Sequence, residues 1–278
     1  MARVNTRELV LSQLRGHIAM PRQETALEQA MILIERQLAL KNAVRNPYKY
    51  RFARFLKDCV WTIDEAGGGE VRKFPWGKGE DGRSWTQIWL EMEDALLRSR
   101  LLMVEKSRRV LASWYVCAFD IWLAAGGQDP RWVNEKGQPV LMRSDRNRQI
   151  VVAARKAEGL AGSEWFIERR IKTILDQFEI HGRHLWPDFP EWKWTCGEVA
   201  FDTNSRITGV PQGSDQLRGA GITHAHLEEV AFWERAKASI TGALPVIRGG
   251  GHVTLITTAN VGSYAKEIRD GTLRGKVH

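Results

Sequence analysis

The sequence predicts an α/β protein, a mostly parallel sheet with helices on both faces, preceded by an N-terminal helical segment. Three observations predict it. From residue 88 onward, short apolar runs alternate with longer amphipathic stretches, the order in which strands feed crossover helices and return parallel. Several of the short runs are apolar throughout, as strands covered on both faces are. With 278 residues, 43% of them hydrophobic, the chain can bury a sizeable core in one large domain or two small ones.

Taken in order, residues 22–44 carry Leu27, Met31, Ile34 and Leu38 at steps of three and four, one apolar helical face bracketed by Pro21 and Pro47. A second helical pattern places Tyr48, Phe52, Phe55, Leu56 and Cys59 on one side, with Arg51, Arg54 and Lys57 on the other. It runs down before Gly67-Gly68-Gly69, and the stretch from there to Ser84, rich in Gly and charge, reads as loop. Helices are expected at 88–97, 113–124 and 163–178, and strands at 100–104, 149–154, 198–202, 206–210, 223–227 and 252–257. The division that follows is an N-terminal helical extension over 1–46 and one α/β domain over 47–278, with no internal repeat.

Lys and Arg number 41 against 33 Asp and Glu, so the formal charge is 41 − 33 = +8, which favours an anionic partner. It is spread along the chain, so a basic surface kept for solubility explains it as well. The composition excludes disordered, collagen-like, low-complexity and disulfide-scaffold classes. The longest apolar run, Trp114 to Ala125, is broken by Asp120 and is shorter than the roughly 20 residues a bilayer crossing needs. Arg3, Arg7, Glu8 and Arg15 interrupt the region where a signal peptide would be apolar, so an intracellular chain is expected. Cys59, Cys117 and Cys196 are odd in number and widely spaced, and read as buried thiols. Twelve tryptophans include Trp89, Trp114, Trp122 and Trp165 at helical spacing among apolar residues, which points to core packing and not to base stacking.

In open parallel sheets, ligands bind beyond the carboxyl ends of the strands. After the strand ending at Val104 come Lys106, Ser107, Arg108 and Arg109, and then a helix start with Ser113. Strand, basic loop and hydroxyl at a helix N-terminus is the construction of a phosphate-binding loop, but no glycine lies between Lys106 and Trp114. A surface turn with three cations has the same look. The strand at 223–227 runs into Glu228-Glu229, two carboxylates suited to holding Mg²⁺ and orienting water, or simply charges at a helix start. The strand at 252–257 ends in Thr257-Thr258, hydroxyls able to sense a γ-phosphate or to make an ordinary polar turn. His224, His226 and Glu228 alternate on one strand face and His181 and His184 fall at helical spacing, each a weak metal pattern.

Read in order, these segments resemble the large terminase subunit of tailed bacteriophages, over roughly residues 72–265. Lys106-Ser107-Arg108-Arg109 to Ser113-Trp114 is similar to that family's divergent Walker A segment, and Ile150 to Ala157 to the strand and basic turn after it. Ser205-Arg206-Ile207 through Leu217-Arg218-Gly219 into Ala225-His226-Leu227-Glu228-Glu229 resembles its passage into Walker B, and Thr257-Thr258-Ala259 its coupling motif.

The resemblance implies a P-loop NTPase-like ATPase domain over 47–278, with ATP and Mg²⁺ as cofactors, that drives double-stranded DNA into a procapsid. It implies Glu229 as catalytic carboxylate with Glu228 beside it, where an Asp is usual, and Arg218 touching phosphate or a neighbouring subunit. Lys106, Ser107, Arg108, Arg109, Ser113, Thr257 and Thr258 would contact the nucleotide, with Lys106 favoured as the replacement for the Walker lysine and with Ser113 and Glu228 as Mg²⁺ ligands. Pro75 and Gln87 fall where an adenine-contacting segment would lie. Implied partners are double-stranded DNA, the portal, the small terminase subunit and copies of the chain in a homo-oligomeric ring on the procapsid, in the host cytoplasm and without a membrane. Two departures stand out. Leu111 occupies the place of a loop glycine, and the family's C-terminal nuclease domain is not expected in this chain. The alternative is a nucleotide-binding but inactive docking or DNA-binding module.

Overall fold

The computed structural model describes residues 30–269, apart from positions 32, 35, 36, 39, 43, 65–68, 80, 81, 83, 107–110, 132–145, 160, 161, 214, 216, 218–220 and 259–262. Between 30 and 45 the described residues are helical, but Ile34 and Leu38 of the predicted apolar face are 57% and 54% exposed. The core begins downstream of them. Helix α1 (Pro47–Tyr50) starts at Asn46, whose Oδ1 accepts the Lys49 amide at 3.1 Å. Helix α2 (Phe52–Cys59) buries Phe52, Phe55, Leu56 and Cys59, the face its spacing predicts.

Strands β1 (Trp61–Asp64) and β2 (Glu70–Lys73) then form a two-stranded antiparallel ribbon where the sequence reads as the end of a helical pattern and a loop. All of β2 is exposed, so it has no buried face to leave a period-two signal. Helix α3 (Trp85–Arg98) is capped by Ser84, and the large sheet follows with β3 (Leu101–Lys106), helix α4 (Ala112–Ala124) and β4 (Gln149–Ala154). The helix predicted at 163–178 is continuous but changes pitch: α5 (Ser163–Trp165), a π-helical stretch (Phe166–Ile171) and α6 (Lys172–His181). Next come β5 (Trp192–Thr195), β6 (Glu198–Phe201), β7 (Arg206–Pro211) and β8 (Ile222–Glu228). A 3₁₀ turn (Val230–Phe232), α7 (Ala236–Arg248), β9 (His252–Thr258) and α8 (Tyr264–Arg269) complete the described chain. Strand β5 and helices α7 and α8 are further additions to the elements the sequence predicts.

The sheet has seven strands in the order β3-β9-β8-β4-β7-β6-β5. The first five are mutually parallel, and β6 and β5 continue the sheet antiparallel. This is the predicted α/β, mostly parallel arrangement. Its two faces carry separate hydrophobic clusters: Ile150, Val152 and Ala154 of β4 point into one with α2, α4 and α6, while Val151 and Ala153 point into the other with α7. All 13 residues of α4 are buried, so this helix is apolar nearly all round instead of striped. Trp89, Trp114 and Trp122 are core residues, as expected, and Trp165 is partly buried. Cys59 and Cys117 are buried, whereas Cys196 is exposed beside Gly197 in the β5–β6 turn, correcting the expectation for that thiol. No helix among the described residues is long and apolar enough to cross a membrane.

Candidate functional site

The parallel strands place three sequence-distant segments at one rim. Lys106, the last residue of β3, is in register with Thr258, the last of β9, and Glu228 at the end of β8 is in register with Ile256 two residues earlier on β9. From that rim the Lys106 ammonium reaches Glu229 Oε1 at 2.8 Å, with 9% of the lysine side chain and 31% of the glutamate exposed. Glu229 Oε2 accepts from the Thr258 amide at 3.1 Å and from the Thr258 hydroxyl at 3.0 Å. Both of its oxygens are therefore held, one by β3 and one by β9. Thr257 lies just beneath, its hydroxyl oxygen accepting the Ala231 amide at 3.0 Å and so joining β9 to the turn after Glu229.

Glu228 points inward. Its Oε2 accepts from the Ser113 hydroxyl at 3.1 Å, and its Oε1 lies 3.0 Å from His226 Nε2. Ser113 is the second residue of α4, and Leu111, just before the helix, provides no side-chain cap for the free amides of its first turn. Leu111 itself sits at φ −70 and ψ 24, which any residue adopts, so the missing glycine introduces no backbone strain here.

Behind Glu228 runs a buried polar chain whose pairings the sequence does not disclose. His226 Nδ1 donates to Asp120 Oδ2 at 2.7 Å, His224 Nδ1 donates to Asp120 Oδ1 at 2.6 Å, and His224 Nε2 lies 2.9 Å from Thr254 Oγ1 on β9. Burial pushes the His226 imidazolium down, but the charge and hydrogen bond of Asp120, followed by Glu228, outweigh it and raise the ring to about 9. Burial likewise pushes the Glu228 carboxyl up, and the hydrogen bond and charge of His226, the Arg170 charge and the Ser113 hydroxyl bring it below its usual range. Asp120 is lowered against its burial by His226 and then His224.

Arg170, from the π-helical stretch, lies over Trp114, Trp165 and Phe166 with its guanidinium carbon 5.8, 4.9 and 4.5 Å from the ring centroids. The signals in sequence were Asp120 as a lone charge in an apolar run and the alternation of His224 with His226. Cys117, Asp120 and His226 have ligand atoms within 4.8 Å of one another, but all four ring nitrogens of the two histidines are engaged by protein oxygens, which uses up the metal pattern read from the strand.

Of the residues singled out in the sequence, Lys106, Ser113, Glu228, Glu229, Thr257 and Thr258 converge at this rim. Ser107, Arg108, Arg109 and Arg218 lie outside the described residues. Gln87 donates its side-chain amide to Glu91, and the Pro75 carbonyl accepts from Trp89 Nε1. Ser113 Oγ and Glu228 Oε2 form a pair of hard oxygen donors 3.1 Å apart, a donor set that suits Mg²⁺.

The class these features define is an α/β protein with a mostly parallel sheet that gathers a cation-tipped strand, a hydroxyl-bearing helix start and an acidic strand end at one rim. No family model matches the chain and no curated protein matches it. Among solved structures, the chain is similar to the ATPase domain of the Thermus phage P74-26 large terminase (TM-score 0.42, 13% identity, 65% of this chain and 67% of that one). A single-residue mutant of that domain gives 0.44 and 12% over the same shares. The HK97 bacteriophage large terminase gives 0.49 and 12%, covering 82% of this chain and 42% of the HK97 chain.

Proposed function

We propose that this chain is a DNA-packaging ATPase of the terminase large-subunit kind, hydrolysing ATP to translocate double-stranded DNA into a procapsid. The observation that carries the reading is the convergence of Lys106, Ser113, Glu228, Glu229 and Thr258 on one strand-end rim. Lys106 supplies positive charge to the phosphates. Ser113 and Glu228 hold Mg²⁺, which when bound neutralises phosphate charge and orients the nucleotide. Glu229 orients the attacking water and accepts its proton, which requires its release from the ion pair with Lys106. Phosphate entering beside Lys106 competes for the ammonium and so frees the glutamate. Thr257 and Thr258 link that event to β9, the strand between β3 and β8. Double-stranded DNA, the portal, the small terminase subunit and a ring of copies are the partners that this reading entails.

Glu229→Gln should reduce Mg²⁺-dependent phosphate release at least about 100-fold while leaving nucleotide affinity nearly unchanged. Lys106→Ala should instead weaken nucleotide binding. Phosphate release with and without duplex DNA, beside fluorescent-nucleotide titration of both variants, measures this; equal loss of binding and turnover in Glu229→Gln removes its assigned role. The second reading, an inactive nucleotide-binding module, is favoured by the closed Lys106–Glu229 pair, and stands if the unaltered chain binds nucleotide but releases no phosphate.

A further inference from the structure

We propose that His226, anchored by Asp120, is a positioning residue that sets the orientation of the Glu228 carboxylate and so the strength with which the site holds its divalent cation. The inference rests on the metal-binding reading of Ser113 and Glu228.

The geometry is a closed circuit between one helix and one strand. Ser113 and Asp120 are seven residues apart on α4, two turns along the same face, and His226 and Glu228 are two apart on β8 and share its pleat. Ser113 bonds to Glu228 Oε2, Glu228 Oε1 to His226, and His226 to Asp120 Oδ2, at 3.1, 3.0 and 2.7 Å. All four side chains are buried. A glutamate has three side-chain torsions, and contact at a single oxygen leaves the carboxylate free to rotate. Here the second oxygen is fixed by a ring whose far nitrogen is itself fixed, so the carboxylate plane is set from behind before a cation arrives.

Stability does not account for this arrangement. Buried charged groups lose their hydration, and apolar side chains of similar volume at these positions would hold α4 on β8 at least as well. The opposite face of β8 shows that alternative, since Ala225 and Leu227 pack there in a wholly apolar cluster. The polar face is confined to the three residues that lead to the rim, His224, His226 and Glu228. Asp120 also binds His224, and His224 meets Thr254 on β9, so the element that aims Glu228 is tied to the strand that ends in Thr257 and Thr258.

Groups that orient a metal-binding side chain typically change metal affinity by about 10–100-fold when removed. The full chain is therefore titrated with Mg²⁺ at fixed fluorescent nucleotide, and in parallel with Mg²⁺ at saturating ATP for phosphate release. In His226→Leu, the half-saturating Mg²⁺ concentration should rise at least about tenfold in the binding assay. Nucleotide binding without Mg²⁺ should stay within about twofold. His226→Gln, which keeps a donor toward Glu228, should recover most of the affinity. Asp120→Asn, the same shape with one anionic acceptor fewer, should fall between the two. A merely structural histidine lowers the melting temperature without moving the Mg²⁺ midpoint, and that result in a folded variant overturns the proposal. If His226→Leu does not fold, His226→Gln and Asp120→Asn decide by the same midpoints. If the unaltered chain binds nucleotide with no dependence on Mg²⁺, the metal reading of Ser113 and Glu228 fails, and this proposal with it. If Mg²⁺ strengthens binding in the unaltered chain and equally in all variants, only the role of His226 fails.

Discussion

Glu229 adopts φ 53 and ψ 43, a left-handed conformation that costs a non-glycine residue about 1 kcal/mol or more. Three donors hold it there, the Lys106 ammonium and the amide and hydroxyl of Thr258, so the strain is stored in the residue proposed to activate water. The neighbouring Glu228 is in the extended strand and faces the opposite way, which is how two adjacent carboxylates acquire different partners and different chemistry. Burial separates the three thiols in a similar way. Burial, with Asp58 alongside, pushes Cys59 up to about 12, and burial with Asp120 pushes Cys117 well above its ordinary value, while Cys196 is open to solvent. Only a thiolate attacks a disulfide reagent, so at neutral pH the native chain should release one equivalent of chromophore from an aromatic disulfide, and three after denaturation. Cys196→Ser should abolish the fast native equivalent; any fast equivalent that remains in that variant means the packing around Cys59 or Cys117 opens.

At the scale of elements, the turn from α7 into β9, at the end of the sheet opposite the candidate site, shows how closely β8 and β9 are packed. A Cβ on Gly251 would lie 2.5 Å from Val246 Cγ1, 2.8 Å from the Ile222 carbonyl oxygen and 2.9 Å from that of Val246, and backbone carbonyls cannot step aside as a side chain can. Gly251→Ala should therefore destabilise the fold by about 1–3 kcal/mol in urea unfolding. Gly249→Ala, at φ −72 with ordinary contacts at 3.5 Å, should be neutral or stabilising by up to about 1 kcal/mol. Loss of equal size in both would mean that the turn, and not the close approach, is responsible. Strand β4 was legible in the sequence because it is buried on both faces and appears as an unbroken apolar run, whereas the equally buried β8 and β9 carry His224, His226 and Thr254 among their apolar residues. The rim residues were legible because function in such sheets gathers at strand ends. Elements that break those rules were not. Helix α7 contains Gly242 and Pro245, which lower helix propensity, and it forms because Ile240, Ala243, Val246 and Ile247 pack on the sheet. Strand β5 is four residues long and half exposed. The link from Asp120 to His226 joins residues 106 apart, and no local pattern encodes which lone charge meets which histidine.

For the molecule as a whole, the +8 charge decides what kind of DNA contact the proposed function allows. A packaging motor accepts any sequence, so its contacts should fall on phosphates, which are the same in every base pair, and not on base edges. Each phosphate neutralised by Lys or Arg releases condensed counterions, so log Kobs should fall with log salt by about 0.9 per contact. Four such contacts correspond to a loss of roughly a hundredfold between 50 and 200 mM salt, and larger numbers to more. Two duplexes of equal length and unrelated sequence should bind within about threefold of each other at every salt concentration. Fluorescence anisotropy over that salt range, with and without a non-hydrolysable nucleotide, measures both slope and sequence preference. A basic surface serving solubility alone would show the slope but no response to nucleotide. Linkage requires that nucleotide which tightens the grip on DNA be itself held more tightly when DNA is present. A salt slope that nucleotide leaves unchanged, together with nucleotide affinity indifferent to DNA, would separate the rim from the DNA surface and leave a nucleotide-binding fold with no motor coupling.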